Sequence, residues 1–514
     1  MSKQLLKQKY LFWFIFLLTA FMRLYKLGET PSGLNQDEAY AGYEAFSLLT
    51  TGHDSWGYPF PLYFISWGSG MNVLYSYITI PFLAIFGVKT WVLRLPQALL
   101  GILSCYVFYR LLRILYNRQT ALLGFFLSAI IPWHIMLSRW ALEVNIAPFF
   151  ILTGLYFFAR SLKKKEYLLL SALFYGLALY TYATAWIYVV ITLGCQLLYL
   201  LCYKKDQPTL INTLSSGIIF TILALPIVSL ILINQEIIPE IKTAFFSVPK
   251  LLFWRQNEIG LEEWTVKLNM LKYIFTTGND YLPTNAIPFF GIFYPLSLPF
   301  ILLGLYKMYK TAREDLKKHI FSFSAIIFVS IIFGLIYASV LYPCINRLNY
   351  LWFNLLIALT VGIDATRPHK KIFYLILTLY CSLYIAFTHQ YFSKYNELAS
   401  AYFSPNLKQA LNAAEQLHRQ SNLPITLADH PFNYPKILFY QKISPQDFTQ
   451  TVSWLPFPNS YLDASSFTHY SFMPETDYSK LATDRIYIAP LKQKYFFYQF
   501  DIKSIGDLLV ASPK

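Results

Sequence analysis

Residues 10–44 carry the sequence YLFWFIFLLTAFMRLYKLGETPSGLNQDEAYAGYE, an apolar run followed by a polar segment. A cleaved signal peptide needs small residues at its cleavage site, but this run ends in Arg23-Leu-Tyr-Lys26. We therefore expect it to remain attached as a first membrane-spanning helix. The polar segment would then begin the first loop on the far side of the membrane.

The rest of the chain is equally apolar. Its 514 residues are 56% hydrophobic and only 13% charged, and the mean hydropathy is +0.42. Soluble domains carry about 25% charged residues, so the composition excludes a soluble enzyme and predicts an α-helical polytopic membrane protein. Apolar runs long enough to span lie near 10–27, 91–115, 119–138, 144–160, 167–183, 184–203, 210–233, 288–308, 320–341, 348–365 and 372–390.

These runs predict about eleven transmembrane helices. A further run, Leu74 to Gly87, has roughly 14 residues, a length more typical of an interfacial or re-entrant helix. If it does not span, the positive-inside rule places every basic cluster in the cytoplasm. The clusters are Lys3/Lys7/Lys9, Arg110/Arg113/Arg118, Arg160/Lys163/Lys164/Lys165, Lys204/Lys205, Lys307 to Lys318 and Arg367/Lys370/Lys371.

This topology places the N-terminus in the cytoplasm. Loops 28–90 and 234–287 and everything after about 391 then lie outside. The net charge of +15 is explained by these topology signals, so we expect no nucleic-acid partner. From Tyr391 onward, a helix at 407–420 and strands at 424–428 and 485–489 predict a small extracytoplasmic α/β domain. We expect a transmembrane catalytic module over 1–390 and this domain over 391–514.

Two adjacent carboxylates, Asp37 and Glu38, are candidates for chemistry in the first outer loop. Water is scarce at the membrane face, so a carboxylate there can act as a base with a shifted pKa. The alternative is structural: Asn35 caps a helix, and the two acids complement its dipole. Adjacent helical residues point about 100° apart, so at most one of the pair should face a substrate.

Further polar residues occur at the same outer level of the predicted bundle. Arg94 and Arg347 could be interfacial anchors, and Arg139 and Glu143, at i and i+4, could form an ion pair. About three arginines and three carboxylates on one face nevertheless exceed what anchoring needs, so we predict a functional site there. Tyr180 and Tyr182, at the end of the fifth span, are typical of an aromatic belt.

Other kinds of site find no support in the sequence. The histidines lack the spacing of a metal site, and no phosphate-binding loop of a nucleotide enzyme occurs. The five cysteines show no CxxC spacing, and none follows Cys381, so we expect neither a disulfide framework nor a thiolate metal site.

Several short motifs in the first 145 residues resemble the GT-C membrane glycosyltransferases, specifically the family 39 group of protein O-mannosyltransferases and the lipid A aminoarabinose transferase. The similar residues are Asp37-Glu38-Ala-Tyr40, Thr51-Gly-His-Asp54-Ser-Trp-Gly57, Phe86-Gly87, Arg94-Leu-Pro96, and Ser138-Arg139 with Glu143. The resemblance implies a GT-C fold with juxtamembrane helices in the first outer loop, one of them at Leu74 to Gly87. It also implies a polyprenyl-phosphate-sugar donor.

The resemblance implies that Asp37 is the catalytic base, while Glu143 stands where the family often has Asp. We add the hypotheses that Glu38 positions the base or the acceptor and that Arg94 and Arg347 bind the donor phosphate. The predicted supporting residues are Tyr40, Asp54, Arg139, Glu143, Tyr180 and Tyr182. With arginines to hold the phosphate no metal cofactor is required, although some GT-C enzymes use one.

The sequence therefore predicts an inverting hexosyl- or pentosyltransferase of the cell membrane. Its acceptor would be a protein, a lipid or a cell-wall glycan at the outer face of the bilayer. One alternative is a polysaccharide polymerase or ligase, which gives no reason for acidic residues directly after the first span. The other is a transporter, whose polar residues gather at the bilayer midplane rather than at one face.

Overall fold

The computed structural model of the protein describes residues 3–202, 209–254, 260–317, 323–429, 434–457, 461–473 and 477–514. The predicted basic cluster Lys204/Lys205 and the end of the cluster at Lys318 lie outside these residues. The helices in the first half are α1 Lys3–Leu24, α2 Gln36–Thr51, α3 Leu74–Phe86, α4 Thr90–Leu115, α5 Arg118–Ile130, α6 Pro132–Leu137, α7 Ala147–Ser161, α8 Tyr167–Ala178, α9 Ala183–Cys202 and α10 Leu210–Asn234.

The remaining helices are α11 Trp264–Thr277, α12 Ser297–Lys317, α13 Phe323–Val340, α14 Trp352–Asp364, α15 Lys370–Ser393, α16 Tyr395–Leu398, α17 Ser400–Phe403, α18 Leu407–Ser421, α19 Tyr434–Gln441 and α20 Pro445–Thr451. The strands are β1 Ile241–Lys242, β2 Ser247–Val248, β3 Ile425–Ala428, β4 Ser453–Phe457, β5 Tyr461–Phe467, β6 Tyr470–Met473, β7 Ile486–Pro490, β8 Phe500–Ile505 and β9 Leu508–Pro513.

Each of the eleven apolar runs coincides with at least one helix. Among the described residues, six helices are long and apolar enough to cross a membrane: Thr90–Leu115, Glu143–Ser161, Ala183–Leu201, Leu210–Asn234, Phe323–Val340 and Lys370–Ser393. The chain is thus a multi-pass membrane protein, and the count of eleven spans stays a prediction. The short run at 74–87 forms the 13-residue helix α3, which packs on α2.

Two of the predicted apolar runs do not form one continuous helix over their whole length. Run 119–138 is divided between α5 and α6, because Pro132 lacks the N–H that would continue the helix and occupies the first turn of α6. Run 288–308 becomes helical only from Ser297 onward. Before it, Phe289 and Tyr294 have φ angles of 77° and 71°, a conformation that a right-handed helix excludes.

The chain forms two compact units. The helical unit comprises Met1–Thr30, Arg94–Ser229 and Arg255–Tyr395. Its most extensive helix pair is α12 with α14. Their backbones approach so closely that a Cβ atom on Gly304 would lie 1.8 Å from the carbonyl oxygen of Ala358. Only glycine allows this approach, as is common where membrane helices pack.

The sheet unit comprises Pro31–Leu93, Leu230–Trp254 and Asn396–Lys514. It contains a seven-stranded sheet of order β4-β5-β6-β3-β7-β9-β8, in which β3 is parallel to both neighbours and the other pairs are antiparallel. The predicted helix at 407–420 and strands at 424–428 and 485–489 correspond to α18, β3 and β7. The C-terminal α/β domain is therefore observed, and its boundary at 391 stays a prediction.

The first loop and the C-terminal segment belong to the same unit. The backbone N–H of Ser32 donates to Oδ1 of Asn396 at 2.9 Å, and that of Leu34 donates to the carbonyl of Phe403 at 2.8 Å. Helix α2 packs against α3 on one side and α19 on another. These contacts fix the start of α2, where the two candidate carboxylates lie.

Candidate active site

The first turn of α2 is held by a capping box. Oδ1 of Asn35 accepts a hydrogen bond from the backbone N–H of Asp37 at 3.0 Å, and Oε2 of Glu38 accepts one from the backbone N–H of Asn35 at 3.3 Å. Glu38 is fully buried. The cap expected for Asn35 is observed, and Glu38 is part of it.

Asp37 has a different environment from its neighbour. Its side chain is half-buried, and Nε1 of Trp67 donates a hydrogen bond to Oδ1 at 3.2 Å. Trp67 is itself 7% exposed and packs edge to face on Tyr434, with ring centroids 5.0 Å apart. Of the two adjacent acids, Asp37 is therefore the one that keeps solvent access, with one oxygen oriented by an indole.

A buried lysine of α19 lies beside this acidic pair. Lys436 is 2% exposed, and its Nζ donates to Oγ of Ser404 at 2.9 Å. Burial lowers the pKa of Lys436 to about 7, and electrostatic interaction with Glu38 and then Asp37 opposes that shift. Nothing in the local sequence of α19 signals this placement, because the two acidic residues are about 400 residues away in the chain.

A second buried carboxylate, Glu44, lies two turns further along α2. Its Oε2 accepts a hydrogen bond from the backbone N–H of Ser55 at 2.9 Å, and its other oxygen accepts one from the Ser55 hydroxyl. Burial raises the pKa of Glu44 to about 7. Asp37, Tyr40 and Glu44 share the i, i+3, i+7 spacing of one helix face, a signal that could have identified Glu44 from the sequence.

Tyr40 and Asp54, both predicted as supporting residues, surround Glu44. The Tyr40 hydroxyl donates to the carbonyl of Ile65 at 2.7 Å and lies 3.4 Å from Oγ of Ser55. Oδ1 of Asp54 accepts from the backbone N–H groups of Trp56 and Tyr58, which closes a tight turn. Burial and the nearby Glu44 raise the pKa of Asp54. Both residues thus shape the loop behind α2.

In the helical unit, Arg139 binds backbone carbonyls at the end of α1. Its guanidinium donates to the carbonyls of Met22 at 2.9 Å, Tyr25 at 2.7 Å and Thr30 at 3.0 Å. Carbonyls at a helix C-terminus have no partner within the helix, and a buried arginine can satisfy several of them. Arg139 therefore holds the end of α1, and its predicted supporting role in the site stays a prediction.

The expected helical spacing between Arg139 and Glu143 is not present. Helix α6 ends at Leu137, and Glu143 begins a separate 3-10 turn, Glu143–Ile146. The residues between them are not helical, so the i, i+4 argument for an ion pair does not apply. Glu143 is buried, with 6% of its surface exposed.

The two proposed phosphate-binding arginines have different surroundings. Arg94 is completely buried in the second turn of α4, where it interacts electrostatically with Arg139 and Tyr391. It therefore does not extend its head group to the surface. Arg347 is half-buried in the loop before α14, where it donates to the carbonyl of Tyr342 at 3.4 Å.

Tyr180 and Tyr182 also differ from each other in their surroundings. The hydroxyl of Tyr180 donates to the carbonyl of Leu223 in α10 at 2.7 Å, a packing role. Tyr182 is half-buried and interacts electrostatically with Tyr337. Within the described part of the chain, no group of three or more His, Cys, Asp or Glu side chains could hold a metal ion.

Comparison with known proteins gives one family match. Residues 72–233, less than half of the chain, match the family described as dolichyl-phosphate-mannose-protein mannosyltransferase. No curated protein sequence matches the chain.

Several solved structures share the fold. ArnT from Cupriavidus metallidurans bound to undecaprenyl phosphate has a TM-score of 0.56 at 11% identity, covering 98% of this chain and 97% of that one. Its apo state has a TM-score of 0.56 at 10% identity and 96% coverage of both chains. The archaeal oligosaccharyltransferase AglB from Archaeoglobus fulgidus, in complex with an inhibitory peptide and a dolichol-phosphate, has a TM-score of 0.53 at 13% identity.

The coverage differs between these neighbours. The alignment with AglB covers 87% of this chain but only 64% of the archaeal one, so the chain spans less than two thirds of that enzyme. The TM-scores establish a common fold, and at identities of 10 to 13% no common activity follows from it. Together with the family match over residues 72–233, they confirm the resemblance drawn from the motifs: the chain is a multi-pass membrane protein that shares the fold of these GT-C glycosyltransferases and is similar to family 39.

Proposed function

We propose that this protein transfers a single sugar from a polyprenyl-phosphate donor to an acceptor hydroxyl at the outer face of the membrane, with inversion at the anomeric carbon. The observation that carries the proposal is the contrast between the two adjacent acids. Glu38 is buried in the helix cap, while Asp37 is half-buried with one oxygen oriented by Trp67. A carboxylate held in this way can accept a proton from a bound hydroxyl.

The reaction requires few steps. The acceptor hydroxyl gives its proton to Asp37, and its oxygen attacks the anomeric carbon from the side opposite the phosphate. The bond between the anomeric carbon and the phosphate oxygen breaks, and polyprenyl phosphate leaves with the bonding electrons. Arg94 and Arg347 are the proposed partners of the phosphate, since guanidinium groups bind phosphate oxygens in a bidentate manner.

The donor class rests on similar proteins as well as on chemistry. The matching family is described by a dolichyl-phosphate-mannose donor, and the ArnT and AglB structures contain undecaprenyl phosphate and dolichol-phosphate. A lipid-linked donor also suits a site at membrane level. The acceptor, whether a protein, a lipid or a cell-wall glycan, need only present a hydroxyl group.

A binding experiment tests the donor class without knowledge of the sugar. The purified protein in nanodiscs is mixed with undecaprenyl phosphate or dolichyl phosphate, and thermal stability is measured at increasing lipid concentration. We expect saturable stabilisation by at least one of them and none by the corresponding polyprenol, which lacks the phosphate. Equal responses to phosphate and alcohol would contradict the proposal.

A transfer experiment then tests the reaction. Synthetic polyprenyl-phosphate mannose or aminoarabinose, labelled in the sugar, is incubated with the protein and a cell-envelope extract. We expect label in the extract, release of polyprenyl phosphate in equal amount, and a product anomer opposite to that of the donor. A product with the donor's anomeric configuration would contradict the single displacement at which Asp37 acts as base.

A further inference from the structure

Helix α19 of the C-terminal segment packs directly on the helix that carries Asp37. A Cβ atom on Gly42 of α2 would lie 2.8 Å from the ring of Phe439, so glycine is needed for this approach. At the N-terminal end of α19, Tyr434 packs against Trp67, the residue that orients Asp37. The α19 helix is therefore part of the wall around the acidic pair.

Lys436 extends from α19 into this wall. Its side chain is almost completely buried, and the hydroxyl of Ser404 accepts one of its hydrogen bonds. A buried ammonium group is unfavourable unless opposite charge compensates it. The opposite charges here are Glu38 and Asp37, which both interact with Lys436 electrostatically.

We propose that Lys436 is a positioning residue for the transfer reaction, whose positive charge keeps the Asp37 carboxylate ionised and in place. The proposal rests on the function proposed above. It makes the C-terminal domain a part of the active site rather than an appended module. The base would lie in the first loop of the chain. The positive charge that keeps it ionised would come from the last quarter of the sequence.

Other acidic groups near Asp37 favour its protonation, and the positive charge of Lys436 opposes this effect. Glu38 is adjacent to Asp37, and Tyr434 interacts electrostatically with Asp463, Glu44 and Asp37. The acidic groups around Asp37 and Lys436 are therefore Glu38 and Glu44 of α2 and Asp463 of β5. The neighbouring hydroxyl groups are those of Ser404 and Tyr434. Like charges favour protonation of a carboxylate, and a nearby cation opposes it.

The test is the pH profile of kcat/KM for Lys436→Met in nanodiscs, with the polyprenyl-phosphate sugar that the wild-type protein transfers. We expect the acidic limb to move to higher pH and activity near pH 6.5 to fall about tenfold or more. Lys436→Arg, which retains the charge, should keep the wild-type limb. The control is Lys503→Met, which removes an exposed lysine of the same domain and should leave the limb unchanged.

The affinity for undecaprenyl phosphate separates this role from misfolding, and we expect it to stay within about twofold of wild type in Lys436→Met. A folded variant with a wild-type acidic limb would overturn the proposal. If the single variant fails to fold, Glu38→Gln/Lys436→Met removes one charge of each sign. The acidic limb of the double variant should then lie close to that of the wild type, and an acidic limb displaced to higher pH would overturn the proposal.

The function proposed above fails in a different way. If Asp37→Asn has wild-type turnover, Asp37 is not the base, whatever Lys436 does. If Asp37→Asn is inactive while Lys436→Met has a wild-type profile, only the inference about Lys436 fails.

Discussion

The indole N–H of Trp67 donates a 3.2 Å hydrogen bond to Oδ1 of Asp37. The helix cap uses a different part of the same residue, because it is the backbone N–H of Asp37 that binds Asn35. Side chain and backbone of Asp37 thus have separate partners. A substitution of the side chain can therefore test chemistry without removing the cap.

Asp37→Asn should abolish transfer while leaving the fold intact. The amide keeps an oxygen for the Trp67 hydrogen bond and keeps the backbone N–H in the cap, so a loss of stability of no more than about 1 kcal/mol is expected. An amide cannot accept the proton, and turnover should fall by roughly 10²- to 10⁴-fold. The measurement is single-turnover transfer by purified protein of verified thermal stability.

Glu38→Gln is the matched control for that variant. It changes the adjacent acid in the same way, but the buried amide oxygen can still accept the hydrogen bond from Asn35. We expect a smaller loss of turnover than for Asp37→Asn. Wild-type turnover in Asp37→Asn, or equal losses in both variants, would contradict the assignment of the base.

Arg94→Lys should weaken use of the donor although the charge is retained. A planar guanidinium can bind two phosphate oxygens at once, and an ammonium cannot. We expect the KM for the polyprenyl-phosphate sugar to rise about tenfold, as one lost bidentate contact implies. Arg139→Lys is the control, since Arg139 binds carbonyls of α1 and should affect thermal stability more than KM. An unchanged KM in Arg94→Lys would reduce Arg94 to a packing residue.

Glu44 should make stability depend on pH. Burial raises its pKa from 4.5 to about 7, so the folded protein retains a proton that the unfolded chain releases. This contribution to stability is fully present below pH 4.5 and is lost as the pH rises through 7. We expect the apparent Tm to fall between pH 5 and 8, and to fall less in Glu44→Gln.

The control for Glu44 is Glu397→Gln, which changes an exposed glutamate of the sheet unit. It should show the same decline of Tm with pH as the wild type. If Glu44→Gln and Glu397→Gln follow one curve, Glu44 does not carry the pH dependence. Asp54, whose pKa is also raised, is expected to contribute to a decline that remains in Glu44→Gln.

The predicted topology can be tested by cysteine labelling in a variant without the five native cysteines. We expect an impermeant reagent to label Ser504→Cys in intact cells and Lys164→Cys only after permeabilisation, since both positions are exposed. Ser55, in the first loop, is an unsuitable reporter because it is buried against Glu44. Labelling of Lys164→Cys in intact cells would invert the topology.

The sequence predicts the helices because long apolar runs determine them. It fails where local backbone chemistry overrides composition, as at Pro132 and in the turn before Ser297 that contains Phe289 and Tyr294. In the C-terminal domain the sequence predicts α18, β3 and β7. It misses α19, whose eight residues are too short to display a clear period.

In the candidate site, too, some features could be predicted from the sequence and others could not. Asp37 and its cap are local features that a few residues specify, and both could be predicted. The carbonyl contacts of Arg139 and the position of Lys436 depend on tertiary packing, so no pattern near either residue reveals them. Contacts between residues hundreds of positions apart become visible only in the fold.

The hydrogen bonds from Ser32 and Asn35 to the segment around 396–402 join residues 364 and 367 positions apart. At 5–20 residues per second, a ribosome needs roughly 20 to 70 s to synthesise the intervening chain. The acidic turn is therefore among the first parts of the protein to be made and among the last to be completed. A truncated product that ends before Asn396 would lack both of these hydrogen bonds, so the start of α2 would be without its partners from the C-terminal segment.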